Sequence, residues 1–172
     1  MSAIADLPDL NVWLALASPA HQHHSRAVQY WEEQASQRVL FCTVTALGLV
    51  RLVMQPKLMG DAVLRSAEAS ALLEAFLQQP GVSHAQPSSD GWDVFHLLMR
   101  QGDLLSGLCT DAHLAALAIT NQWRLVSFDH DFQRFPELIL LQLDRFPLPK
   151  IHLDGHLTSD AAVVVIQALL QS

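Results

Sequence analysis

Three aspartates stand where an apolar strand or loop hands over to a helix: Asp9 in DLNVWLAL, Asp111 in CTDAHLAALA and Asp129 in LVSFDHDF. Carboxylates gathered in one place repel one another unless something positive sits among them. Three of them brought together by the fold therefore make an oxygen-rich cup for a hard divalent cation, Mg²⁺ or Mn²⁺. A cation held that way lowers the pKa of a bound water and stabilises charge developing on a phosphate, so the chemistry expected is hydrolysis of a phosphate ester without a covalent nucleophile. Asp131, two residues past Asp129, either joins the cup or is a solvated turn residue. Each of the other three also suits a helix or turn cap, and it is their shared setting that favours the cup.

The elements that must position these acids alternate between strand and helix. AIADLPDL reads as a short strand ending at Asp9, NVWLALAS as a core-facing helix, and HQHHSRAVQYWEEQ as a helix with Ala27, Tyr30 and Trp31 near one face. VLFC is a second strand. Thr45 is expected to cap the helix ALGLVRLVM, which Pro56 ends, and the Ala/Leu-rich DAVLRSAEASALLEAFLQQ is stopped by Pro80 and Gly81. After the short strand VSHAQ comes the helix GWDVFHLLMRQG, closed by Gly102, and Thr110 or Asp111 starts AHLAALAITNQ. RLVSF, ending at Asp129, and LILLQL complete the strands. This order predicts an α/β fold, a three-layer α/β/α sandwich on a mainly parallel central sheet, with ligands beyond the carboxyl ends of the strands.

Length and composition bound the rest. At 172 residues with 51% hydrophobic content, the chain suits one domain with a sizeable core, assigned to residues 1–145. Residues 146–172 read as a Pro-containing linker and an apolar C-terminal helix, TSDAAVVVIQALLQS, which must bury itself on its own domain or on a partner. A net charge of −7 argues against gripping nucleic acid through overall electrostatics, although a bound cation inverts the sign locally. No apolar run approaches the ~20 residues of a membrane span and no signal-peptide pattern opens the chain, so a soluble cytoplasmic protein is expected. Cys42 and Cys109 form no CxxC pair and are expected as buried thiols. His21, His23 and His24 read as a surface helix start rather than a metal site, His113 and His130 as bystanders, and the four tryptophans as core or interface residues.

Taken in order, Asp9 with Asn11, then His21, His24 and Trp31, then Thr45, Gly48 and Arg51, then Thr110 to Ala118 and Ser127 to Phe132, the chain resembles the PIN-domain ribonucleases. It is most similar in these motifs to the VapC-type toxins of bacterial toxin–antitoxin pairs, from about Leu7 to Leu143. The resemblance implies a four-acid site that binds one or two Mg²⁺ or Mn²⁺ and cleaves RNA, a structured RNA such as tRNA included. It also implies a homodimer and silencing by a cognate antitoxin protein. By position Asp9 is the first acid, Asp111 the third and Asp129 the fourth, while the second falls on Ala46. A missing anionic ligand predicts weaker cation binding. Asn11 and Thr110 are the candidates to orient the ligating carboxylates, and Arg51 is the candidate phosphate contact. Two rival readings stand beside this one: a PIN-like module that binds antitoxin or RNA without cleaving, motivated by Ala46, and an unrelated α/β phosphohydrolase using the same cup on small phosphate esters.

Overall fold

The computed structural model describes residues 5–144; the linker and apolar C-terminal segment expected at 146–172 lie outside the described residues. Five short strands, β1 (Asp6–Pro8), β2 (Val39–Phe41), β3 (Val82–His84), β4 (Arg124–Ser127) and β5 (Leu140–Gln142), form one sheet in the order β3-β2-β1-β4-β5. Every pairing is parallel. The helices are α1 (Leu10–Ala17), α2 (His24–Glu33), α3 (Thr43–Val53), the short α4 (Pro56–Met59), α5 (Ser66–Leu77), α6 (Trp92–Gly102) and α7 (Cys109–Asn121). This is the three-layer α/β/α arrangement that the alternation of elements predicts.

A period of two in the strands explains the layers. Val39 and Phe41 of β2 face a core shared with α1, α2, α3 and α5, while Leu40 between them faces a second core built on α7 with α6 outside it. Both faces are apolar because helices cover both. In the first core Trp13 of α1 stacks on Phe41 at 3.7 Å between ring centroids, with Phe76 of α5 set edge-on at 5.2 Å. In the second, Ala112, Ala115 and Ala118 let α7 lie close against Leu7 and Leu125 of the sheet.

Topology then selects the place for a ligand. The chain lays β1, β2 and β3 outward in one direction and returns to add β4 on the other side of β1. Connections leaving β1 and β4 diverge to opposite faces, which opens a crevice beyond their carboxyl ends. Asp9 and Asp129 both follow those ends.

Several local expectations are corrected. Cys42, not Thr45, is the N-cap of α3; Thr45 lies a turn inside and accepts the Cys42 backbone N–H at 3.1 Å, the reciprocal half of a capping box. Gly102 is the last residue of α6, and the left-handed C-cap is Asp103, a residue type that tolerates φ of 43°. Helix α7 starts at Cys109, so Thr110 and Asp111 are first-turn residues and not caps. Cys42 is buried as expected, whereas Cys109 is exposed because it opens the helix at the surface. Trp13 and Trp123 fill the core, Trp31 packs against it, and Trp92 is exposed at the outer start of α6.

Candidate metal centre

Pro8 ends β1, and the extended backbone of Asp9 lets its side chain turn back and cap α1: Oδ1 accepts the Leu10 N–H at 2.7 Å. Its other oxygen accepts the Ser127 hydroxyl at 2.9 Å across the β1–β4 seam. The side chain is buried, and its pKa is pushed up to about 6. Burial is the main cause and the Asp111 and Asp129 charges add to it, while the hydrogen bonds from Ser127 and Leu10 pull the other way. Asp9 thus has two donors and, among the described residues, no cationic partner.

Ser127, the last residue of β4, is the hub of this corner. Its Oγ donates to Asp9 and accepts the Asp129 backbone N–H at 2.9 Å and the Asn11 amide at 3.1 Å. Asn11 in turn accepts the Phe128 N–H at 3.4 Å. Asn11 therefore acts on the acids through Ser127 and not by direct contact. Thr110 is exposed, and among the described residues it makes no hydrogen bond to a carboxylate of the site.

The remaining acids come from the other side of the crevice. Asp111 sits in the first turn of α7, where the helix N-terminus favours a carboxylate. Asp129 caps a 3-10 turn, His130–Arg134, by accepting the Asp131 N–H at 2.8 Å, which brings Asp131 round to the same mouth. Carboxylate oxygens of Asp111, Asp129 and Asp131 lie within 4.8 Å of one another. The pKa of Asp111 is raised by its burial and then by the Asp129 and Asp131 charges, with Arg134 opposing. This donor set fits a hard divalent cation: oxygen ligands only, close enough to share one ion, beside a buried fourth carboxylate that has no cationic partner among the described residues.

The other positions considered from sequence fall elsewhere. Ala46 is buried in the first turn of α3, among apolar neighbours. Arg51 is exposed in the last turn of α3, about 12 Å along the axis from Thr43 at 1.5 Å per residue. His23 stacks on Phe128 at 4.7 Å and His24 bonds the Ala15 carbonyl at 2.7 Å; among the described residues no histidine joins a group able to hold a metal. His113, its pKa lowered by burial, packs beside Trp92 at 5.3 Å, and His130 is exposed beside Gln133. Two contributors escaped the sequence analysis. Ser127 could have been found as the polar end of an otherwise apolar strand just before an acid; Arg134 could have been found only by knowing that the turn after Asp129 folds back.

Comparison with known proteins bears on the family and the fold. A family model described as PIN domain matches residues 7–138. The chain is 34% identical over 138 residues to Ribonuclease VapC41 of Mycobacterium tuberculosis, covering 75% of this chain and 92% of that one. To Ribonuclease VapC37 of the same organism it is 30% identical over 129 residues, covering 74% and 89%. Among solved structures, VapBC2 from Rickettsia felis bound to a promoter DNA fragment superposes with TM-score 0.59 at 17% identity, covering 82% of this chain and all of that one. VapC20 of Mycobacterium tuberculosis, described as a sarcin–ricin loop cleaving toxin, gives TM-score 0.56 at 18% identity, covering 76% and 94%.

Proposed function

Since this chain belongs to the PIN domain family, we propose that it is a VapC-type toxin: a metal-dependent endoribonuclease that hydrolyses RNA phosphodiesters with water. The observation that carries the reading is the meeting of Asp111, Asp129 and Asp131 within 4.8 Å, beside a buried Asp9 that lacks a cationic partner among the described residues. The named activity of its relatives supports the same chemistry.

Asp9, Asp111 and Asp129 are the residues that would hold Mg²⁺ or Mn²⁺, with Asp131 as a further ligand. Bound there, the cation would supply a Lewis acid for the phosphate and for water at neutral pH. The chain's own contribution is preorganisation. Ser127 fixes the Asp9 carboxylate in one rotamer, Asn11 fixes Ser127, and the turn from Asp129 to Asp131 is locked by its internal N–H bond. Burial around Asp9 excludes bulk water from one side of the cup and strengthens every charge interaction within it.

The wider biology follows as part of the same reading. The substrate is RNA, with tRNA among the structured candidates; the protein works in the cytoplasm as a homodimer and is silenced by a cognate antitoxin. Solved relatives that are toxin–antitoxin complexes support the antitoxin partner. Among the described residues no helix is long and apolar enough to cross a membrane. Residues 1–145 form the PIN-like domain in this reading, and 146–172 add a segment that packs on it or on a partner. One observation favours a second reading, a binding module without catalysis: the position of the second family acid is Ala46.

Incubation of the purified protein with RNA in Mn²⁺ separates them. Cleavage that stops with chelator and with Asp129→Asn supports the nuclease. An inert protein whose melting temperature ignores Mn²⁺ supports the binding module.

A further inference from the structure

The sequence offers Arg51 as the cation for phosphate, yet Arg51 lies at the far end of α3 from the acids. Arg134 is closer to the chemistry. It closes the 3-10 turn that begins at Asp129, and its Nη2 donates to the Asp131 carboxylate at 2.7 Å while its Nε donates to the Asp131 carbonyl at 3.0 Å. Among the described residues it is the one Lys or Arg side chain bonded to any of Asp9, Asp111, Asp129 and Asp131.

Three features separate Arg134 from an ordinary surface ion pair. First, the turn is pinned on both sides of it: Phe132 is fully buried and Phe135 nearly so, with ring centroids 6.3 Å apart in the second core. The guanidinium is thus carried on a fixed support at the mouth of the cup. Second, a guanidinium has five N–H donors, and two are used here; the others have no partner among the described residues, and the side chain is 39% exposed. Third, the Asp131 carboxylate that it holds has an oxygen within 4.8 Å of those of Asp111 and Asp129, so the guanidinium stands at the edge of the acidic cluster.

The pocket also has a need for such a group. Three carboxylates within 4.8 Å of one another, with the buried Asp9 charge near them, repel an incoming phosphodiester. We propose that Arg134 receives the RNA phosphate at the open side of the acidic cluster, its guanidinium bridging Asp131 and a non-bridging phosphate oxygen. This rests on the ribonuclease reading above. Arg134 supplies there the planar, multiply donating contact to phosphate that a lone cation cannot.

The test is binding of a short mixed-sequence single-stranded RNA, followed by fluorescence anisotropy across a salt series, with Ca²⁺ replacing Mn²⁺ to neutralise the acids. Melting temperature against Mn²⁺ concentration is followed in parallel. Arg134→Ala is expected to weaken RNA binding roughly tenfold, the scale of one charge-assisted hydrogen bond to phosphate, and to reduce the salt slope by about 0.7. Its Mn²⁺ response is expected to stay intact or strengthen as Asp131 is freed. Arg134→Lys should keep the salt slope while losing part of the affinity. Unchanged RNA affinity and slope in Arg134→Ala, or a loss of Mn²⁺ response that accounts for weaker RNA binding, would overturn the proposal while leaving the ribonuclease reading in place. Wild-type protein that neither binds nor cuts RNA would sink both.

Discussion

The β1–β4 seam carries a buried aspartate at each end, about 10 Å apart along the strand. At the amino end Asp6 receives Arg124 through two bonds of 2.8 Å, the Tyr30 hydroxyl at 2.8 Å and the Ser36 N–H at 3.0 Å. Burial, followed by the Asp6 charge, raises the Tyr30 pKa and keeps the phenol protonated as a donor; the Asp6 hydrogen bond raises that of Arg124. At the carboxyl end Asp9 receives, among the described residues, Ser127 and Leu10 only, and faces other anions. Identical side chains three residues apart are thus treated oppositely. One charge is completed by the protein and ties β1 to β4 and to the α2–β2 connection; the other is left incomplete, which costs stability and is expected to be offset only when a cation arrives.

The largest effects should come from removing each charge in turn. Asp6→Asn leaves the Arg124 guanidinium, one-quarter exposed, without its anion and is expected to lower unfolding free energy by about 3 kcal/mol, measured with urea. Asp9→Asn keeps an N-cap acceptor and removes a destabilising charge, so in chelator it should unfold about 1 kcal/mol harder at neutral pH while RNA cleavage in Mn²⁺ falls by about a thousandfold. Equal destabilisation by both changes would mean that the two ends do not differ in the way described.

Next in size is a pH effect confined to the carboxyl end. The native pKa of Asp9, about 6, lies above its unfolded value, so between about pH 4 and 6 the folded state binds the extra proton. In chelator its contribution to stability therefore falls as pH rises through that window, and Asp111, shifted in the same direction, adds to the trend. Saturating Mn²⁺ requires the ionised form, so the stabilisation that it confers should grow over the same window and reach about 2–3 kcal/mol. A Mn²⁺ increment in melting temperature that is flat from pH 5 to 8 would show that Asp9 is not among the ligands.

How much of this was legible in the sequence divides along the same seam. The carboxyl end could be read because its acids follow apolar strands or open a helix, and strand ends are where an α/β fold puts its ligands. The amino end could not. Asp6 stands in DLPDL with nothing local to mark it as buried, and its partners Tyr30, Ser36 and Arg124 come from three separate stretches that only register brings together. Boundaries failed for a related reason: at Cys42 and Leu108, the N-caps of α3 and α7, the helix starts are set by how the chain enters the layers, and residues of weak capping preference were accepted there. Arg134 was missed because a 3-10 turn of five residues carries no periodicity to read.

A smaller effect tests the seam itself. Ser127→Ala removes the donor to Asp9 and the acceptor for Asn11 and Asp129, and the loss is expected near 2 kcal/mol, since part of that polar surface opens to water. Without the Ser127 hydrogen bond, which lowers the Asp9 pKa, the onset of Mn²⁺ stabilisation should move to higher pH. The Asp6 cluster shares no atom with this network, so a double change with Asp6→Asn should be additive; strong coupling would mean that the two ends act as one unit.

The smallest expected effect enlarges the asymmetry instead of removing it. Ala46 lies in the first turn of α3, beyond β2 and therefore on the carboxyl side of the sheet, where a helix N-terminus favours an added carboxylate. It is also buried among apolar side chains, so Glu at this position is accommodated only if its carboxylate extends out of the core towards the crevice. In chelator Ala46→Glu should therefore be less stable than the wild type, with one more anion among anions. In Mn²⁺ the order should reverse, because the added oxygen tightens cation binding roughly tenfold, or about 1.4 kcal/mol, measurable by titration calorimetry. A stability loss that Mn²⁺ does not recover would mean that the side chain points away from the acids. Unchanged affinity in a well-folded variant would mean that another group already supplies that ligand, and Asp131, which joins Asp111 and Asp129 in the cluster, is the candidate.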